Sequence, residues 1–240
     1  MPKHVTYKST SNSRKINVYK KAIRCLGIAE SFKKENKYAV LVGVVMRSDF
    51  IIDGVYIERV TVGGMDSTEA VIRMYHNAGR NDINFLLING VIISYYNIID
   101  LNKLFNSVKI PIISITYRES KGLEEILKKL FPDWRERIEV YRRNGKRIPL
   151  PLKTGHIIYV RYLGVDFREC MHLVNKFTIE GKHPEPVRIA KIIARSINRY
   201  LCCNLRELNC EGARESVHIN ENITKRRNFL SGENKHYRAC

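Results

Sequence analysis

Residues 83–94 read INFLLINGVIIS, an apolar run in which Asn89 and Gly90 form a polar break. A strand buried on both faces of a mixed sheet carries such a run, because crossover helices cover both faces and leave no polar side. Three segments upstream, CLGIAESF (25–32), YAVLVGVVMR (38–47) and IIDGVYIERVTVGG (51–64), are rich in Val and Ile. KKENK (33–37) and SDFIIDG (48–54) between them suit turns, so the three segments predict an antiparallel meander. Asp53, followed by Gly54, reads as the hairpin turn itself, ahead of any role in acidic machinery. The period then changes. DSTEAVIRMYHNAG (66–79) puts Ala70, Val71, Met74, Tyr75 and Ala78 on one helical face and stops at Gly79.

Past the apolar run come the helical NIIDLNKLFNSV (97–108), a second buried strand IPIISITY (110–117) and the amphipathic helix KGLEEILKKLF (121–131), ended by Pro132. Asp100 reads as a capping or surface group of the first of these helices. A three-stranded meander followed by strand, helix, strand, helix is the order of the ribonuclease H-like α/β fold, a mixed sheet with βαβ crossovers and flanking helices. Residues 138–165, IEVYRRNGKRIPLPLKTGHIIYVRYLGV, predict a hairpin through Asn144-Gly145 with Arg142, Arg143, Lys146 and Arg147 at its tip. DFRECMHLVNKF (166–177) looks helical. In GKHPEPVRIAKIIARSI (181–197), Pro186 is expected at the first position of a helix reaching about residue 201.

Forty-two Lys and Arg against 24 Asp and Glu give a net charge of +18 and a pI near 9.7, which favours a polyanionic partner, nucleic acid before membrane. A generally basic proteome is the plainer explanation of the same number. The hydrophobic content of 44% suits a globular protein with a real core. Cysteines at 25, 170, 202, 203, 210 and 240 form no CxxC pair, which argues against a zinc ribbon or a secreted disulfide framework. The basic N-terminus has no apolar segment of the signal-peptide kind, and no stretch of 18 apolar residues occurs, so a cytoplasmic protein outside the membrane is expected. The domain reading is a basic arm (1–23), a nuclease-like domain (24–203) and a polar tail (204–240).

Ribonuclease H-like nucleases carry metal-binding carboxylates on the first strand, at the start of the first helix, on the fourth strand and on a late helix, where two Mg²⁺ ions activate water and stabilise the leaving oxygen. Glu30 lies within the first apolar strand, where a charge is costly unless paired or metal-bound. Asp66 follows a Gly-Gly and precedes a helix, so it is either an N-cap, with Glu69 three residues on completing a box-like pair, or a metal ligand. Asn89 offers an amide oxygen without charge. Glu185, between two prolines at a helix start, is either stabilised by the helix dipole or held as a ligand or water-positioning base.

The blocks LGIAESF, AVLVGVVMR, VTVGGMDSTEAV, LLINGVIISYYNIIDL, IPIISITYRES and PEPVRIAKIIAR together resemble the archaeal endonuclease dU family, distantly related to endonuclease V. The resemblance spans roughly residues 24–198. It implies an endonuclease V-type fold and a metal-dependent endonuclease, with Mg²⁺ or Mn²⁺, that nicks DNA at deaminated bases, deoxyuridine first, in DNA repair. On the endonuclease V pattern, Glu30 falls at the first-strand aspartate, Asp66 at the glutamate opening the first helix and Asn89 at the fourth-strand aspartate. These three would hold metal, Glu185 would complete the catalytic set, and His183 is a minor match to the late histidine. Two departures stand out, Glu for Asp at residue 30 and an uncharged Asn89.

Arg118, just after the fifth strand, is either a phosphate contact or a surface arginine. Together with Arg142, Arg143, Lys146 and Arg147 it makes up the expected nucleic-acid-binding set. Tyr95 and Tyr96 are either core aromatics or stacking surfaces for a displaced base. A non-catalytic nucleic-acid-binding protein on a degenerate nuclease fold is the competing class, and RNA in place of DNA stays open.

Overall fold

The computed structural model describes residues 17–119 and 122–202. Three strands, β1 (Arg24–Ser31), β2 (Tyr38–Arg47) and β3 (Ile52–Thr61), form the expected meander, with Leu26 opposite Val45 and Val44 opposite Val55. After α1 (Ser67–Asn77), β4 (Phe85–Ile88) pairs parallel to β1 in the register Leu26↔Leu86 and Ile28↔Ile88. Next, α2 (Leu101–Val108) leads to β7 (Ile112–Thr116), which pairs parallel to β4. Two helices, α3 (Glu124–Leu130) and α4 (Trp134–Arg143), then precede β8 (Ile148–Pro151) and β9 (Ile157–Leu163), which returns antiparallel to β7. The sheet order is β3-β2-β1-β4-β7-β9-β8, a mixed sheet of the predicted ribonuclease H-like kind. A capped helix α5 (Phe167–Lys176) and α6, helical from residue 185 to 198, complete the unit that ends at Asn198, and residues 199–202 of a second unit are also helical.

Strand alternation divides the core. Leu26 and Ile28 of β1 join Leu86 and Ile88 of β4 under α1 and α2, while Cys25 and Ala29 join Phe85 and Leu87 under α5 and α6. Glycine lets the second layer come close. A Cβ on Gly27 would stand 2.4 Å from Pro186 Cβ, so the first turn of α6 rests directly on the backbone of β1.

Three expectations are corrected. The run 83–94 is not one strand: pairing stops at Ile88, Gly90 takes φ of 83°, and the chain leaves the sheet to form a separate ribbon of β5 (Ile92–Ile93) and β6 (Asn97–Ile98). Residues 142–147 are not a hairpin, because Ile138 and Val140 pack with Leu127 and carry α4 through Arg143. Asn144 caps that helix, its buried amide accepting from Leu101 N and donating to Ile99 O at 2.8 and 2.7 Å. The Asn-Gly signal was a helix end. Asp53 lies inside β3 and accepts from Arg24 Nε at 2.6 Å; the turn is made by the preceding residues, with Phe50 at φ of 67°. Asp100 is the N-cap of α2, accepting from Asn102 N and Lys103 N.

The ribbon contains a costly turn. Ser94, Tyr95 and Tyr96 have φ of 44°, 59° and 64°, a region where a Cβ crowds the carbonyl by about 1–2 kcal/mol per residue. Arg137, only 3% exposed, offsets that cost by donating to the carbonyls of Tyr96, Gly64 and Gly63 at 2.9, 2.9 and 2.7 Å.

Gly27→Ala is expected to cost about 1–3 kcal/mol in urea denaturation, because Pro186 and the start of α6 must move as a unit. Gly43→Ala, whose Cβ would meet the Met74 sulfur at 2.4 Å, is expected to cost less, since a thioether swings aside.

Candidate functional site

In open α/β sheets ligands sit beyond the carboxyl ends of the parallel strands, where neighbouring connections diverge. Here that place is the end of β1 and β4. Asn89 N donates to Ile28 O at 3.0 Å as the last rung, and Gly90 then turns the chain away. The Glu30 carbonyl is met instead by Lys191 Nζ from α6 at 2.5 Å, and the same ammonium stands 3.5 Å from Glu30 Oε1. The Glu30 side chain is 13% exposed, and its Oε2 is buried without a hydrogen-bond partner. A buried carboxylate oxygen without a donor is costly.

Asp66 and Glu185 have partners of their own. Asn89 is the residue after the Ile28↔Ile88 pair, half-buried where β4 ends. Asp66 occupies the N-cap position of α1 but makes no cap bond. Asn97 accepts from Ser67 N at 3.1 Å in its stead and donates to Asp66 Oδ1 at 2.7 Å. Thr61 supplies its backbone N–H and its hydroxyl to the same carboxylate. Glu69 pairs with Lys103 and completes no box. Glu185, 5% exposed, is the first helical residue of α6, one position before the expected Pro186, and its Oε2 accepts from Arg188 Nε at 2.9 Å.

Sequence reasoning missed three contributors: Lys191, Asn97 and Tyr117. Lys191 was hidden in an amphipathic run, where a lysine reads as a solvated face. Tyr117, which follows β7, stacks on His183 with ring centroids 4.2 Å apart, and its buried hydroxyl has no partner, so burial pushes its pKa up. Partial burial, followed by the charges of Lys182 and Arg188, lowers the His183 pKa below the ordinary imidazole value.

The basic residues are partly committed. Arg142 pairs with Glu124 at 2.6 Å and Arg143 with Asp100 at 3.6 Å, whereas Lys146 is exposed and Arg147 reaches the carbonyl of exposed Arg118 at 3.3 Å. Tyr95 lies under Lys34, whose Nζ is 4.8 Å from its ring, and packs beside Tyr96 and Phe131. The arm up to residue 16 and the tail from 203 lie outside the described residues.

These donors do not fit a divalent-metal site as arranged. Among the described residues no group of three or more His, Cys, Asp and Glu is set to hold a metal ion. Hard cations take several oxygen ligands, mostly carboxylates. Here Asp66 is engaged by Thr61 and Asn97, Glu185 by Arg188, and Asn89 carries no charge. Among the described residues no helix is long and apolar enough to cross a membrane.

Comparison with known proteins agrees with the architecture. The profile of the family described as Endonuclease dU matches residues 21–198. A UPF0215 protein of Pyrobaculum calidifontis is 37% identical over 177 residues, covering 73% of this chain and 97% of its own length. The crystal structure of a protein of unknown function from Archaeoglobus fulgidus matches with a TM-score of 0.64 at 25% identity, covering 73% of this chain and 98% of that one. Endonuclease V of Ciona intestinalis, solved with a 24mer DNA containing an inosine followed by a ribo-adenosine, matches with a TM-score of 0.51 at 14% identity, covering 75% and 87%. At that identity the likeness is one of fold.

Burial works against ionisation of Asp66, but the hydrogen bonds from Thr61 and Asn97 outweigh it and hold the carboxyl below its ordinary pKa. A lowered folded pKa adds stability above the unfolded value of about 3.9, and that stability is lost as pH falls through the folded pKa. Asp66→Asn is therefore expected to be less stable than the wild type near neutrality and to lose less on acidification, read from urea denaturation over a pH series.

Proposed function

Because the chain belongs to the endonuclease dU family, we propose that it acts on DNA at deaminated bases, deoxyuridine first, and hydrolyses a phosphodiester beside the lesion as a step of repair. The observation that carries this reading is the buried, unpartnered Oε2 of Glu30 at the open end of β1. A carboxylate oxygen so placed takes a proton from water as the water oxygen bonds to phosphorus. The bond from phosphorus to the 3′-oxygen breaks, and that oxygen takes a proton from solvent, leaving a 3′-hydroxyl and a 5′-phosphate. The Lys191 ammonium beside Glu30 balances charge on the phosphoryl oxygens. Mg²⁺ and Mn²⁺ were expected from the resemblance; the described donors offer them no carboxylate cluster, and the chain's own groups carry each step.

The remaining residues hold and bind. Asn89 presents an amide at the neighbouring strand end, Asp66 ties the start of α1 to β3, and Glu185 orients Arg188 at the start of α6. Arg118, Lys146 and Arg147 form the phosphate-binding surface, with Arg142 and Arg143 at its edge through their ion pairs. Binding through such contacts carries no sequence information and falls with salt. Tyr95 is the candidate for stacking on a displaced base, with His183 beside Tyr117 as a further ligand contact.

One set of observations favours a second reading, a non-catalytic DNA- or RNA-binding protein. Asn89 is uncharged, and the Glu30 carboxylate already faces the Lys191 ammonium. A labelled duplex carrying one deoxyuridine or deoxyinosine, incubated with Mg²⁺, Mn²⁺ or EDTA, separates the two. Nicking at the lesion that falls at least about a hundredfold in Glu30→Gln supports the nuclease. Intact DNA with salt-sensitive binding retained in Glu30→Gln sinks it in favour of the binding protein.

A further inference from the structure

We propose that Lys191 is a tethered cation that takes the place of a divalent metal ion at the end of β1. The inference deepens the nuclease reading and rests on it for the location of the site. It starts from the end of the ladder between β1 and β4. Where Gly90 takes β4 out of the sheet, the Lys191 ammonium stands 2.5 Å from the Glu30 carbonyl oxygen and 3.5 Å from its Oε1. The Lys191 side chain is 27% exposed, so its ammonium has limited access to water beside Glu30.

Charge and geometry both favour the ammonium over a metal. A divalent ion at Glu30 would face the Lys191 charge at close range, and among the described residues no group of three or more His, Cys, Asp and Glu is set to hold it. An ammonium needs no fixed coordination shell and has three donors. Two are directed at Glu30, and the third is left for an oxygen of a bound phosphodiester. The placement of α6 secures this arrangement. Pro186 rests on Gly27, and Lys191 lies on the same helix just over one turn later.

The test is a calorimetric titration of the full chain with Mn²⁺ in the absence of DNA, so that its outcome is independent of whether the protein nicks. The wild type is expected to show no saturable site. Lys191→Met, which keeps the stem and removes the charge, is expected to show none either, because Glu30 alone offers a metal ion too few oxygen ligands. Saturable Mn²⁺ binding by the wild type that disappears in Glu30→Gln would overturn the proposal. If Lys191→Met does not fold, the wild type against Glu30→Gln decides alone. In parallel, wild-type affinity for a short DNA duplex should be the same in EDTA as in Mn²⁺, and about tenfold weaker in Lys191→Met. Affinity that collapses in EDTA tells equally against it. A metal-free protein that fails to nick DNA would remove the hydrolytic reading and leave the tethered cation standing.

Discussion

The contact of Pro186 with the bare backbone of Gly27 holds the candidate site together. A glycine in the middle of a strand gives up side-chain packing, and here that loss admits a helix closer than any Cβ would allow. The first turn of α6 is thereby fixed against β1, and every later position on that helix is set by rise and rotation alone. Glu185 is committed to Arg188 before the helix meets the sheet, and Lys191 is delivered to Glu30. Val187, Ala190 and Ala194 on the same helix are small enough to sit flat on the sheet and bury its second face.

The local architecture at the strand ends reflects a compromise in β4. Its apolar residues favour continued pairing, while Asn89 and Gly90 favour departure, and departure wins as soon as the Ile88 rung is made. The departing chain cannot relax into an ordinary turn. It passes through three left-handed residues, none of them glycine, which a buried guanidinium holds in place from α4. Asn97 then closes the loop onto α1 by taking the capping role that Asp66 leaves open.

Much of this architecture is legible in the amino-acid order. The meander, α1, the second buried strand at 112–116 and α5 are foreshadowed by alternation, period and caps, because their faces are apolar in step with their geometry. The illegible parts have a common cause. Asn144-Gly145 carries the local signature of a hairpin, but Ile138 and Val140 found a tertiary partner in Leu127, and packing over a whole helix outweighs one dipeptide. Asp53-Gly54 failed in the same way, since an ion pair with Arg24 drew the aspartate into β3. At the site, Glu30 could be singled out as a charge inside an apolar strand. Its partner could not, because Lys191 is distant in sequence and resembles any lysine on an amphipathic helix.

That distance sets an order of assembly. Glu30 and Lys191 are 161 residues apart, and the sheet between them closes through neighbouring segments before α6 has any surface to dock on. During synthesis the strands and α1 emerge first, and Glu30 waits for Lys191 until nearly the whole domain has left the ribosome. A truncated or nascent chain therefore presents an unbalanced carboxylate where the finished protein has a charge pair. Completion of the fold and formation of the Glu30–Lys191 contact become the same event.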